Sequence, residues 1–278
     1  MLTLSGHALS QECECAKEIV DVENIATEID YEKVPAFKKA EPYYSQEHRL
    51  NRAYLDSSNS DLEDFFKGWE LQSYPNSKKI LKEFPEVIRF AYEIFGDFYD
   101  PKDLKRIGKP EWGVDQFKNV GYLVVQGDLD VSIASKLSTD SFSRNQSSIL
   151  DFTINEFRPS IKGSTPTLFL TEDYQKVLNR FLGDESVPLG HDGIMNPARA
   201  KGESEKRQKF LNNKLKIYHG HWGGWRLITD PTVTQIAFNK SLTKAVVHFS
   251  LVYEGGHAIY KHKKGKWVLV ESKLTWIT

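Results

Sequence analysis

A chain of 278 residues with 40% hydrophobic and 27% charged residues is ordinary globular material, long enough for one large core or two small ones. Its 37 Lys and Arg against 38 Asp and Glu leave a formal net charge of −1. That balance gives no global pull on nucleic acid or an anionic membrane, so nucleic acid is not expected as a partner, while a local charged patch stays compatible with it. No run approaches the roughly 18 apolar residues that span a bilayer, so no transmembrane segment is expected.

Residues 1–10 read as the remnant of a secretory signal peptide. The stretch from Leu2 is apolar and closes on Ala8-Leu9-Ser10, which sets small residues where a signal peptidase reads them. The expectation is a secreted or periplasmic protein whose mature chain starts at Gln11. Cys13 follows Ser10-Gln11-Glu12 rather than a small-residue box, so no lipid anchor is expected on it. Cys13 and Cys15 are the only cysteines. C-x-C offers half of a metal site's ligands, and a disulfide between residues two apart closes a strained ring. No cofactor or metal is expected, and residues 11–40 read as an N-terminal arm.

Residues 41–148 form the next region, helical first. A Tyr- and Arg-bearing helix is expected over about 42–55. Ser60 to Glu63 forms a capping box ahead of Leu62, Phe65, Phe66 and Trp69, an amphipathic stripe that predicts a helix ending near Tyr74-Pro75. Pro85 opens another that buries Val87, Ile88, Ala91, Ile94 and Phe95 and stops at Gly96. A short one from Asp100-Pro101 ends at Gly108. Val120–Gln126 and Leu129–Ala134 are β-rich runs flanking Gly127-Asp128, which reads as a small hairpin. The polar, serine-rich 136–148 is a connector.

Residues 149–278 begin with an alternating strand, Ile149–Phe157. Thr171 caps a helix with the stripe Tyr174, Val177, Leu178, Phe181 and Leu182, closed by Gly183. Asp184–Met195 is a loop, and Asn196-Pro197 opens a helix through about Leu215 whose mixed charges read as a solvated face.

Thr243–Tyr253 alternates with period two, and Ala258–His262 and Trp267–Ile277 continue the pattern. Gly255-Gly256 and Lys264-Gly265 are read as two-residue turns. Counting from them sets Glu254 opposite His257, Val252 opposite Ile259, His262 opposite Trp267 and Ile259 opposite Val270. One face then collects Phe249, Leu251, Tyr253, Tyr260, Trp267, Leu269 and Glu271, the aromatic side, over which helices or a pocket are expected. The other face holds His248, Ser250 and Ile259.

The pattern V-x-x-I-x-F from Val233, A-V-V-H-F-x-L from Ala245 and G-K-W-V-L-V from Gly265, ending in Trp276, resembles the closing sheet of the NTF2-like (cystatin-like) superfamily. The resemblance implies an α+β fold: a helical N-terminal half with a small β-hairpin, then a curved antiparallel sheet with helices in its concavity. That superfamily holds enzymes, binding proteins and interaction modules, so it leaves function open.

The chemistry-bearing residues lie in two glycine-rich loops and on the sheet. In Tyr218–Trp225, His219 and His221 fall on one face of an extended segment, a spacing at which two imidazoles reach one ion, and Trp222 and Trp225 flank them. His191-Asp192 sits in Leu189–Gly193, and Glu254 and His257 are further candidates for a third ligand. A packed turn with imidazoles on backbone carbonyls explains the His pair without a metal. Tyr253 and Glu271 sit on the aromatic face. A carboxylate buried there is poised to act as a base, whereas one at the rim meets solvent or Lys273. The chain lacks G-x-S-x-G, H-E-x-x-H, a phosphate loop, a dinucleotide fingerprint and a calcium loop.

The expected function is a secreted or periplasmic non-catalytic protein that binds a small molecule, peptide or partner protein through the NTF2-like part. Its candidate ligand-binding residues are His191, Asp192, His219, His221, Trp222, Trp225, Tyr253 and Glu271. The alternative is a hydrolase- or lyase-type enzyme using the loop histidines, with or without a metal. A homodimer through an exposed aromatic sheet face is a further alternative.

Overall fold

A computed structural model of the protein describes residues 43–109, 120–140, 147–184, 197–199, 202–220 and 224–277. The signal-like start, the arm with Cys13 and Cys15, and the 185–196 loop lie outside these. The fold is α+β, with helices concentrated before a six-stranded sheet. No helix among the described residues is long and apolar enough to cross a membrane.

Helices α1 (Tyr43–Leu55), α2 (Asn59–Gln72), α3 (Ser77–Glu83) and α4 (Glu86–Phe98) follow one another. The cap of α2 lies two residues before the expected one: Ser58, in extended conformation, accepts from the Asp61 amide, and Asp61 is tied back to Arg52 of α1. Gly96 does not stop α4, which runs on to Phe98. Gly108 does end the short 3₁₀ turn Leu104–Ile107, at φ 79°.

Strand β1 (Leu123–Gln126) does not form the expected hairpin with β2 (Leu129–Ala134). It pairs in parallel with β4 (Thr167–Leu170), while β2 pairs antiparallel with β3 (Ser148–Ile154). Gly127 explains the difference. A Cβ there would stand 2.3 Å from the Leu170 carbonyl oxygen, so this glycine serves a close backbone approach rather than a turn.

Beyond α5 (Glu172–Phe181), capped by Thr171 as expected, the helix foreseen from Asn196 to Leu215 is shorter. It comprises a 3₁₀ turn at Pro197–Arg199 and α6 (Glu203–Leu211), which starts after Gly202 at φ 75°. One core joins α1, α2, α5 and α6 with β1 and β4. At its centre Trp69 stacks on Tyr174 at 4.4 Å and donates to the Phe169 carbonyl.

The short β5 (Tyr218–His219) and β6 (Trp225–Arg226) pair with each other. The main sheet adds β7 (Thr232–Asn239), β8 (Lys244–Leu251), β9 (Glu254–Lys263) and β10 (Lys266–Ile277), in the order β10-β9-β8-β7-β2-β3. It is antiparallel except that β2 lies parallel to β7, so the strand 129–134 completes the C-terminal sheet. The second core sits between this sheet and α4, where Phe90, Phe95 and Phe98 meet Phe249, Tyr260 and Trp267.

The turn between β8 and β9 is Val252-Tyr253, not Gly255-Gly256, and Leu251 faces Glu254. The glycines are strand residues. A Cβ on Gly255 would lie 2.0 Å from the Trp276 ring, and one on Gly256 2.0 Å from the Lys273 carbonyl oxygen. Crowding by β10 claims them, and Val252 takes the turn at φ 53°.

Two hydrogen bonds and an ion pair hold that turn. The Asp230 carboxylate accepts from the Val252 amide, Arg226 donates to the Val252 carbonyl, and Arg226 and Asp230 pair at 2.7 Å. The Lys264-Gly265 turn forms as expected, with His262 opposite Trp267. At Val270 a bulge intervenes, so Ile259 faces Glu271 rather than Val270.

Candidate functional site on the outer face of the sheet

The pairings align side chains in rows across the strands. Val131, Ile133, Ile236, Phe238, Val247, Phe249, Ala258 and Tyr260 point into the core against α4. Their neighbours point to the outer face. There, Gln235 faces His248, His248 faces His257, and His257 faces Lys273, a polar row across four strands. The adjoining row runs Asp151, Ser132, Ala237, Val246, Ile259, Glu271.

His262 donates its amide to the Thr243 carbonyl at 2.9 Å, which marks those two as a hydrogen-bonded pair. The β8–β9 ladder carries no register shift, so alternation makes His248 and His257 a non-hydrogen-bonded pair. In such pairs the Cβ atoms stand only about 4.5–5.5 Å apart.

This face is polar and buried at once: Ser132 is 0%, His248 1%, His257 3% and Gln235 4% exposed. The Ser132 hydroxyl and His257 Nδ1 make no hydrogen bond among the described residues. Each such orphan costs about 1–3 kcal/mol in the absence of a partner. Between them the floor is built of small or short side chains, Ala237 and Val246.

Burial pushes the His257 imidazole below its ordinary value of 6.5, and Lys273 pushes it the same way, against Glu271 and a hydrogen bond with the Thr139 backbone. The ring is therefore neutral at pH 7, with one nitrogen able to accept and the other to donate. The Thr139 contact also brings the described stretch after β2 to His257 on β9. That is three strand spacings from β2, roughly 14 Å.

Of the residues singled out from the sequence, His191, Asp192, His221 and Trp222 lie outside the described residues. His219 is exposed, with its ring edge-on to Trp225 at 4.7 Å, and Trp225 is half-buried and donates to the Leu182 carbonyl at 3.2 Å. His219 and Trp225 thus meet, on a two-stranded ribbon packed against the helical core. Tyr253 lies in the β8–β9 turn, half-buried, and not on the aromatic sheet face.

Glu271 is not on the aromatic face either. The bulge at Val270 turns it outward, where it is exposed and pairs with Lys273 at 2.9 Å. That pair holds its carboxylate below the ordinary range, the reverse of what a base needs. No group of three or more His, Cys, Asp or Glu among the described residues is placed to hold a metal.

The aromatic side leaves α4 in direct contact with the sheet. Phe90 meets Trp267 at 5.2 Å and Phe98 meets Phe249 at 5.1 Å, while the buried Tyr260 hydroxyl donates to Asp97. On β5, opposite Arg226, Tyr218 is pushed up to about 12 by burial and then by the nearby Asp230 charge.

Sequence reasoning missed Ser132, Gln235 and His248. The signal was present: His248 interrupts the apolar run Ala245–Phe249 on the face away from the aromatics. Starting β9 at Glu254 instead of after the glycines sets His257 opposite it. No protein family, curated protein or solved structure matches the chain.

Proposed function

We propose that this is a non-catalytic binding protein of NTF2-like build, exported to the periplasm or secreted, whose ligand is a small polar molecule held on the outer face of the sheet. The observation that carries the reading is the pair of buried, unpartnered polar atoms, Ser132 Oγ and His257 Nδ1, on one face among small side chains. Support for the NTF2-like build comes from a six-stranded sheet with α4 lying on its aromatic side. Because α4 fills that side, the ligand is assigned to the opposite face.

One ring nitrogen of His257 donates to the Thr139 backbone, so the neutral ring's Nδ1 accepts; Ser132 accepts and donates, and Gln235 and His248 lie in the row of His257. A ligand that satisfies both orphans spans three strand spacings, roughly 14 Å, with a hydroxyl or amide group at each end. The catalytic alternative rests on loop histidines, of which His219 is exposed against Trp225 without a carboxylate partner in its described contacts.

A thermal-shift panel of short peptides and oligosaccharides, long enough to reach from Ser132 to His257, at millimolar concentration tests the site. The expected result is a compound that raises the melting temperature of the wild type but not of Ser132→Ala. Equal shifts in both proteins would move the ligand elsewhere, and no shift from any of these classes would overturn the assignment.

A further inference from the structure

At one end of the sheet the turns β7–β8 and β9–β10 lie side by side, because Lys244 faces Lys261. Six lysines gather there: Lys240, Lys244, Lys261, Lys263, Lys264 and Lys266. Lys244 is directly opposite Lys261, and Lys263 directly opposite Lys266. By the alternation that pairs His248 with His257, Lys244 and Lys261 are also a close, non-hydrogen-bonded pair. Like charges so placed weaken a sheet, and this one carries two such pairs in adjacent ladders.

None of the six makes an ion pair among the described residues. From Thr232 to Val270 the only acidic residue is Glu254, at the other end of β9. Glu93 of α4 acts on His262, on the inner face of this end. The four strand lysines alternate with inward Tyr260 and His262, so Lys244, Lys261, Lys263 and Lys266 project from the outer face.

We infer that this lysine end binds a linear polyanion of the sulfated-polysaccharide kind. The strand lysines spread across β8, β9 and β10, two spacings or roughly 10 Å, with Lys240 and Lys264 in the turns, as a band that a chain of regularly spaced anions can follow. Bound anions cancel the repulsion of both lysine pairs, so an arrangement that costs stability in the free protein becomes favourable in the complex. No arginine follows Arg226, so the band lacks the planar forks suited to phosphate. The buried Trp267 leaves no open ring at this end for stacking bases. The turns themselves carry no apolar wedge for a bilayer, since Leu242 is buried. The inference stands apart from the proposed ligand site, whose residues the test leaves untouched.

The test uses the full chain on immobilised heparin in a salt series, with single-stranded oligo-dT and phosphatidylglycerol vesicles as competitors. The expected result is salt-sensitive binding that weakens at least tenfold in the variant Lys244→Gln, Lys261→Gln, Lys263→Gln, Lys266→Gln. Its log-log salt slope is shallower, by several charges' worth, and its melting temperature is unchanged or higher. Absence of heparin binding at about 50 mM salt, an unaltered slope in the variant, or tighter binding to oligo-dT or vesicles than to heparin overturns the inference.

Discussion

His248 and His257 face one another across β8 and β9 in a buried, non-hydrogen-bonded pair on the side of the sheet away from the aromatic core. The pairing exists because the chain turns at Val252-Tyr253 and keeps both following glycines in the strand. The proposed ligand site depends on that register.

The first prediction concerns pH. The folded protein holds the His257 proton less tightly than the unfolded chain does, so protons bind preferentially to the unfolded state. The stability linked to this residue is full above pH 6.5 and is lost as the pH falls from there through the lower folded value. Urea midpoints from pH 7.5 to 5 should therefore fall more steeply for the wild type than for His257→Gln. Parallel curves would show that the imidazole is not desolvated.

Removing the charges around the ring gives a second prediction. Lys273→Ala removes a cation that disfavours the imidazolium, so the His257 pKa rises. Glu271→Gln removes an anion that favours it, so the pKa falls. Ring proton shifts followed by NMR against pH distinguish the two directions, and an unchanged titration in both variants would place neither side chain beside His257.

The glycines of β9 predict a graded steric response. Gly256→Ala puts a methyl 2.0 Å from a backbone carbonyl that cannot step aside, so a loss of more than about 2 kcal/mol is expected. Gly265, at φ 75° with open space around it, should lose only about 1 kcal/mol on mutation to Ala. Urea unfolding of both variants checks the order, and a reversed order would return Gly255-Gly256 to the turn.

The clamp on Val252 predicts opposite effects at two positions. Val252→Gly relieves a β-branched residue at φ 53° and should leave stability unchanged or raise it by about 1 kcal/mol. Asp230→Ala leaves Arg226 without its anion and frees the turn amide, a loss of about 2–3 kcal/mol. The two midpoints, measured side by side, show whether the strain is held where the hydrogen bonds indicate.

Much of the architecture was legible in periodicity. The stripe Leu62, Phe65, Phe66, Trp69, the Thr171 cap, the aromatic face and the Lys264-Gly265 turn are local signals, and they specify local structure. The two misplaced hairpins both involve glycine beside a strand. Gly127, Gly255 and Gly256 are fixed by a distant carbonyl or by the Trp276 ring. A chain read residue by residue cannot distinguish that demand from a turn, and each misreading shifts the pairing of its strands. The bulge at Val270 has the same character, and it alone removes Glu271 from the aromatic face. The ligand site was hidden for this reason, since its row is assembled from β7, β8, β9 and β10.

The most direct test of the account is a nuclear Overhauser spectrum of the intact protein, because facing residues of a non-hydrogen-bonded antiparallel pair bring their Hα protons into contact. The account predicts a strong cross-peak between the Hα protons of His248 and His257. A strong cross-strand contact of His257 with Glu254 instead, as a Gly255-Gly256 turn requires, would contradict it and dissolve the proposed site.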